Sequence, residues 1–107
     1  MTTFDKREEA FEKKFALDEE QKFKAEARRN RLLGLWVAEK LGLSGDAAND
    51  YAKTVVAAEF DQGGAAAVAH KVMADLAEKG AAITEAQLRA RMDELMALAA
   101  EQVKAGT

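Results

Sequence analysis

The chain has 107 residues and a formal net charge of −3, and 49% of its residues are hydrophobic, so it can form one domain with a modest core but is short for two. The negative charge argues against a general nucleic-acid-binding or anionic-membrane role, because such proteins usually carry a net basic surface. The absence of cysteine excludes disulfides and cysteine-based zinc sites, and no apolar run approaches the length of a membrane span. We therefore expect a cytoplasmic protein.

The composition favours helix over strand along the whole chain. Proline is absent, alanine is abundant, and β-branched residues are few and scattered. We predict an all-α fold: a four-helix bundle over residues 19–107, with a long first helix, preceded by a mobile amphipathic segment over residues 1–18. Charge is distributed unevenly, because residues 1–31 hold nine Lys and Arg against eight Asp and Glu, and the remainder holds seven against eleven.

The N-terminal segment is amphipathic, but its apolar face contains only a few residues. Phe4, Phe11 and Phe15 fall on one side of a potential helix, among many charged residues. An isolated helix of this length is marginal in water. Two interpretations stay open here: a solvated, charged extension, or a recognition segment that completes its helix against a partner.

The first helix of the bundle is predicted from about Glu19 to Leu41, ended by Gly42. Six of its residues fall at alternating spacings of four and three and are expected to face the core. They are Phe23, Ala27, Asn30, Gly34, Val37 and Leu41. The stretch from Leu32 to Ala38 is apolar nearly all round, which is typical of a helix buried on more than one side.

The second helix is predicted over about Gly45 to Glu59 after an N-cap at Ser44, and the third over about Ala65 to Lys79, ended by Gly80. The inner face of the second comprises Ala48, Tyr51, Ala52, Val55 and Val56; that of the third comprises Val68, Val72 and Leu76, flanked by Ala65, Ala69 and Met73.

The fourth helix has the clearest start signal, because Thr84 and Gln87 form a capping-box pattern and Ile83 can pack on Leu88. Its inner face comprises Leu88, Met92, Leu95, Ala99 and Val103.

The sequence offers little for catalysis. The glycines at 63 and 64 lack the lysine and the spacing of a phosphate-binding loop. The single histidine, His70, lies off the apolar stripe of its helix and is expected at the surface. The acids are spread as surface pairs rather than clustered as metal ligands. We predict no enzyme, no catalytic residue and no metal site.

A basic cluster stands out at Arg28, Arg29 and Arg31, one to two turns before Trp36. One interpretation is a solvated face with some ion pairs, for instance from Arg28 or Arg29 to Glu26 or to an acid on another helix. The other is anion binding, because arginine suits bidentate phosphate contact and can stack on a planar ring. The bound anion would be a nucleotide, an acidic protein surface or, as the alternative function, RNA.

Two long blocks, residues 1–20 and Phe23 to Trp36, resemble the ATPase inhibitor subunit zeta of bacterial rotary ATP synthases. The similarity continues through residues 51–56, 71–76 and 83–92, so it covers essentially the whole chain. The chain departs from the family pattern at residues 61–69, where a Pro-Gly turn followed by acids is expected and Gln62 to Ala67 are neutral.

The resemblance implies a regulatory subunit that binds the catalytic head of the F-type synthase and inhibits ATP hydrolysis through its N-terminal segment. It also implies an adenine-nucleotide site on the bundle, with ADP or ATP as a regulatory ligand and no required cofactor. The protein would be a monomer when free and peripheral to the inner membrane when bound. The expected partner contacts are Phe4, Arg7, Glu8, Phe11, Lys14 and Phe15; the expected nucleotide contacts are Arg28, Arg29, Arg31 and Trp36.

Overall fold

A computed structural model describes residues 17–106 of the chain, with the side chains of residues 61 and 62 excepted. Residues 1–16 lie outside the described part, and so do the predicted partner contacts between Phe4 and Phe15 and nearly all of the predicted mobile segment. The described residues form four helices: α1 Glu19–Lys40, α2 Gly45–Gln62, α3 Ala65–Glu78 and α4 Glu85–Lys104. The prediction of an all-α four-helix bundle is confirmed.

Local signals at the helix ends explain where the elements begin. Asp18 and Thr84 both form capping boxes, in which the cap side chain accepts a hydrogen bond from the backbone N–H of Gln21 or Gln87 and the Oε1 of that glutamine accepts one from the backbone N–H of the cap residue. The box at Thr84 was predicted, whereas the equivalent one at Asp18 was not. Ser44 occupies the N-cap of α2 as predicted, but its side chain makes no capping hydrogen bond.

Helix α2 is longer than predicted. The prediction ended it at about Glu59, but it continues to Gln62 and ends on Gly63, whose φ of 93° is left-handed. A glycine can adopt that conformation without steric cost, and the backbone of Gly63 and Gly64 donates to the carbonyl of Glu59. The extension adds a turn that carries Phe60.

Helix α1 is the centre of the bundle. It packs extensively against α2 and α4, while α3 packs mainly on α2. Gly34 makes the first of these contacts possible, because a Cβ at this position would lie 2.6 Å from the Cα of Ala52 on α2. The two backbones therefore approach too closely for any larger residue.

The core confirms most predicted faces. Most of the predicted inner residues of α3 and α4 are buried, including Val68, Val72, Leu76, Leu88 and Ala99, whereas Val103 is only half-buried, and Ile83 packs at the edge of the same core. The predicted face of α1 is partly wrong: Phe23 is 55% exposed, whereas Ala25 and Leu33, outside that face, are fully buried. The buried surface of α1 is wide because helices cover it on more than one side, so one stripe does not describe it.

Candidate functional site

An open groove of about 700 Å³ runs over the N-terminal half of α1. Helix α1 forms its floor at Ala27, and the walls are Val56 of α2 and Val103 near the end of α4. Because the walls come from residues far apart in sequence, only the packing of α2 and α4 on α1 creates the groove. The described lining residues are Gln21, Phe23, Lys24, Ala27, Arg28, Arg31, Val56, Val103 and Gly106.

Three cations on α1 line this groove. Lys24 pairs with Glu20 one turn earlier, at 3.2 Å between Nζ and Oε1, and both side chains are well exposed. Arg28 donates from Nη1 to Oε1 of Gln102 on α4, at 3.4 Å, and is half-buried. Arg31 is exposed. Their spacing of four and three residues places all three on one face of α1.

A second, smaller cavity of about 430 Å³ adjoins the groove, because Arg31 and Val56 line both. It is lined further by Asn49, Ala52 and Lys53 of α2. Lys53 is exposed and adds a fourth cation to this continuous surface, which we call the basic groove.

An aromatic pair lies at the edge of the basic groove. Phe23 of α1 and Phe60 of α2 are 55% and 60% exposed, and their ring centroids are 5.6 Å apart at an interplanar angle of 54°. This is a tilted contact of the kind that stabilises aromatic pairs. Two large apolar side chains nevertheless remain largely in water.

Arg29 does not line the basic groove. Its side chain is buried with that of Asn30 and meets the nearly buried Glu59: Nη2 lies 3.2 Å from Oε1 of Glu59, and both Nε and Nη2 donate to Oδ1 of Asn30. Asn30 in turn donates from Nδ2 to Oε2 of Glu59 at 2.8 Å. The three side chains thus form one closed network between α1 and α2. Arg29 therefore forms an ion pair with an acid on another helix, as the first interpretation of the basic cluster predicts for this residue.

The same network affects a nearby carboxyl group. The pKa of Glu26 is raised above its ordinary value, first because the group is partly buried and then because Glu59 carries a like charge. Arg29 and Lys22 oppose that rise without cancelling it.

Trp36 lies at a different place on the bundle. The Nζ of Lys40 is 5.4 Å and the Cζ of Arg91 is 5.6 Å from the centroid of its ring, so two cations lie near the indole. These residues line a separate cavity of about 600 Å³ with Ile83 and Gln87 of the α3–α4 connection and α4. Arg91 also pairs with Glu94, at 2.9 Å.

The structure therefore separates the four predicted nucleotide contacts. Arg28 and Arg31 share the basic groove, Arg29 is held by Glu59, and Trp36 lines another cavity. Sequence reasoning missed Phe60 and Lys53, which come from α2 and complete the groove. No local signal connects α2 to the cations of α1.

Reactive groups are few in the described part of the chain. His70 is exposed, as predicted, and none of the His, Asp and Glu side chains between residues 17 and 106 gather in a group of three that could hold a metal. The pKa of Tyr51 is raised by burial and by its hydrogen bond to Oδ2 of Asp75, at 2.7 Å, so the hydroxyl is a neutral donor at physiological pH. Of the described helices, none combines the length and apolarity that crossing a bilayer requires.

Comparisons with known proteins agree with this architecture. The chain is similar to a protein whose structure was solved by NMR in solution, with a TM-score of 0.68 and 52% identity over 79% of this chain and 96% of the other. No curated protein sequence is significantly similar to the chain. The family model described as ATPase inhibitor subunit zeta matches residues 1–102, which is nearly the full length. The chain therefore belongs to the ATPase inhibitor subunit zeta family.

Proposed function

We propose that the protein binds the catalytic head of the ATP synthase and inhibits ATP hydrolysis by inserting its N-terminal segment as a helix. The observation that carries the proposal is the family match over residues 1–102, which includes this segment as well as the bundle. The family is one of ATPase inhibitor subunits, so its role is regulatory rather than catalytic. In this proposal the protein needs no cofactor, is a monomer when free, and lies at the inner membrane only while bound to the synthase.

The packing of the bundle supports a separate role for the N-terminal segment. The apolar stripes of α1 to α4 bury one another in a single core. In this proposal the additional stripe of Phe4, Phe11 and Phe15 packs on a partner surface rather than on this core. Ordering the segment costs about 1 kcal/mol per residue, so its rings must be well buried in the complex. The proposed contact residues are Phe4, Arg7, Glu8, Phe11, Lys14 and Phe15.

The test is ATP hydrolysis by the isolated catalytic head with and without the full-length protein. The wild type should inhibit, and replacing Phe11 and Phe15 by alanine should weaken inhibition at least roughly tenfold, because a buried ring contributes about 2 kcal/mol or more. The matched control is Glu9→Ala with Lys13→Ala, since helical spacing places these residues opposite the Phe stripe. Equal loss of inhibition in both double variants would contradict insertion through the Phe face.

Adenine-nucleotide binding is a second, independent part of the proposal. Within the basic groove, Arg28 and Arg31 can approach phosphate oxygens, and arginine suits bidentate phosphate contact. Arg29 and Trp36 are placed less favourably for the same ligand, because Arg29 is paired with Glu59 and Trp36 lines a different cavity. If adding ADP or ATP moves no amide signal of α1 in an NMR titration, this part of the proposal is wrong.

The alternative function, an RNA-binding module that uses Arg28, Arg29 and Arg31, has weaker support. RNA binding requires exposed cations, and the side chain of Arg29 is committed to Glu59 and Asn30. RNA binding would also show an affinity that falls steeply as the salt concentration rises, because counterions are released from the RNA. Inhibition that depends mainly on Phe11 and Phe15 would separate the two functions.

A further inference from the structure

The basic groove differs in charge from the rest of the molecule. Four cations line it, Lys24, Arg28, Arg31 and Lys53, although the chain as a whole has a net charge of −3. Among the described residues that line its two cavities, none is an Asp or a Glu. The acid that pairs with Lys24, Glu20, lies outside the lining and is strongly exposed. The surface therefore complements a negatively charged partner.

The groove is also partly apolar. Ala27, Val56 and Val103 line it, and Phe23 brings Phe60 to its edge. Among the described residues, Phe23 and Phe60 are the most exposed of the large hydrophobic side chains. Exposed apolar surface next to a rim of charge is typical of protein interaction sites rather than of ordinary solvated helix.

The shape of the groove fits a helix. The lining residues of α1 run from Gln21 to Arg31, which corresponds to about 15 Å, or nearly three helical turns. Helix α1 is the floor between α2 and α4, so an added helix would lie in the depression between these two. Helix-in-groove recognition places the apolar face of an amphipathic helix against an apolar groove, and Ala27, Val56 and Val103 provide apolar surface of this kind.

Other classes of ligand fit this surface less well. Single-stranded RNA binds by stacking its bases on aromatic faces. The rings of Phe23 and Phe60 instead contact each other at an angle of 54°, which leaves no parallel platform. A mononucleotide would use the cations but not the full length of the groove.

We propose that the basic groove is a second docking surface for the catalytic head of the synthase, and that it binds an acidic amphipathic helix of that head. This inference rests on the proposed function, since it takes the head as the partner. The apolar side of the partner helix packs on Phe23, Phe60 and Val56, and its carboxylates lie against Lys24, Arg31 and Lys53. The bundle then takes part in binding, in addition to the N-terminal segment.

The first test measures the affinity of full-length variants for the isolated catalytic head. Replacing Lys24 and Arg31 by glutamine should weaken binding roughly three- to tenfold at low salt, mainly through slower association, and the difference should shrink as salt rises. The matched control replaces Lys79 and Arg89 by glutamine. It removes the same charge, and Arg89 is in an exposed pair with Glu85 as Lys24 is with Glu20. The control should bind like the wild type.

The apolar part of the surface is tested in the same assay. Phe23→Ala should weaken binding roughly tenfold or more, because aromatic anchors usually carry much of the binding energy of an interface. Leu98→Ala is the control, since Leu98 is 41% exposed on α4 and does not line the groove.

The partner segment is identified by cross-linking. Because the chain has no cysteine, the variant Ala27→Cys carries a single reactive site on the groove floor, and Ala66→Cys carries one on the exposed surface of α3. A photoreactive probe at Ala27→Cys should label a helical segment of the head that is rich in Asp and Glu. The probe at Ala66→Cys should not label that segment.

The outcomes separate this inference from the proposed function. A wild-type protein that fails to bind the head contradicts both. If the wild type binds the head and the Lys24, Arg31 and Phe23 variants bind it with the same affinity, only the docking surface is contradicted. The inference is also overturned if these variants lose affinity for an RNA oligonucleotide or for ATP but keep the wild-type affinity for the catalytic head. The same holds if the label from Ala27→Cys falls on a second copy of the chain or on its own residues 1–16.

Discussion

The network of Arg29, Asn30 and Glu59 shows how one cation of a basic cluster becomes part of the core. Arg29 is only 9% exposed and Asn30 is fully buried, so each needs its hydrogen bonds inside the protein. Glu59 accepts hydrogen bonds from both, at Oε1 from Arg29 and at Oε2 from Asn30, and Oδ1 of Asn30 accepts two more from Arg29. Arg28, the preceding residue, points to Gln102 of α4 instead. Neighbouring arginines thus have different roles because they lie on different sides of α1.

Arg29→Ala should therefore affect stability more than any surface arginine does. Removing the guanidinium leaves Glu59 in a nearly buried position without its counter-charge, which costs about 2–4 kcal/mol of unfolding free energy. Arg89→Ala is the matched control, because its pair with Glu85 is exposed and contributes less than about 1 kcal/mol. Urea denaturation measures both. Similar losses in the two variants would show that the buried network adds no special stability.

The raised pKa of Glu26 leads to a prediction about pH. A raised pKa means that the folded state holds the proton more tightly than the unfolded state, so the unfolding free energy falls as pH rises above the ordinary value of 4.5. Burial and Glu59 are the main causes, in that order. Glu26→Gln removes this loss and should be more stable than the wild type near neutral pH.

The check on Glu26 is the urea midpoint of both proteins below pH 4.5 and near neutrality. The advantage of the variant should be present near neutrality and should become small in acid. A variant that is less stable than the wild type near neutrality would mean that attraction to Arg29 and Lys22 outweighs burial.

At the scale of elements, the helix ends follow from short-range chemistry. Both capping boxes join residues only three apart, and each of the three connections between the described helices contains at least one glycine. Helix α1 lies at the centre of the bundle because Gly34 allows a close approach of α2 and because apolar residues lie on several of its sides. Packing of α2 and α4 on these surfaces then forms the basic groove.

The two N-caps Thr84 and Ser44 provide a matched comparison. Thr84 accepts a hydrogen bond from the backbone of Gln87 at 3.1 Å, whereas the side chain of Ser44 makes no capping bond. Thr84→Ala should lower the unfolding free energy by about 1 kcal/mol, and Ser44→Ala by less than about half of that. Thermal denaturation followed by circular dichroism measures the two shifts. A larger loss at Ser44 would show that its hydroxyl caps α2 in solution.

At the scale of the whole molecule, the proposals assign two surfaces of one small protein to the same partner. The N-terminal segment supplies the Phe stripe, and the bundle supplies the basic groove beside the start of α1. The capping box at Asp18 gives α1 its own start, so the bundle does not depend on a helix running in from residues 1–16. Removing the N-terminal segment tests whether the segment and the bundle have these separate roles.

Deletion of residues 1–17 keeps Asp18 and should leave the unfolding temperature of the bundle nearly unchanged, because the buried apolar residues of the described part of the chain all lie between Ala25 and Ala100. The same deletion should abolish inhibition of ATP hydrolysis by the isolated head. Calorimetry and the hydrolysis assay measure the two effects. Full inhibition by the shortened protein would contradict the role of the segment, and loss of a cooperative transition would show that the Phe stripe belongs to the core.

By itself the sequence determined the class of fold, the approximate helix boundaries and the family. The reason is that caps, glycine stops and apolar periodicity act within a few residues, as at Thr84 and Gln87, and that the two similar blocks are contiguous. Only the tertiary structure decided which charged residues are buried, because Arg28 and Arg29 look alike until α2 brings Glu59 to one of them. The contact of the exposed Phe23 with Phe60, and the formation of the basic groove from residues of three helices, also depend on the tertiary structure. These features depend on how each helix is rotated against its neighbours, which no local pattern specifies.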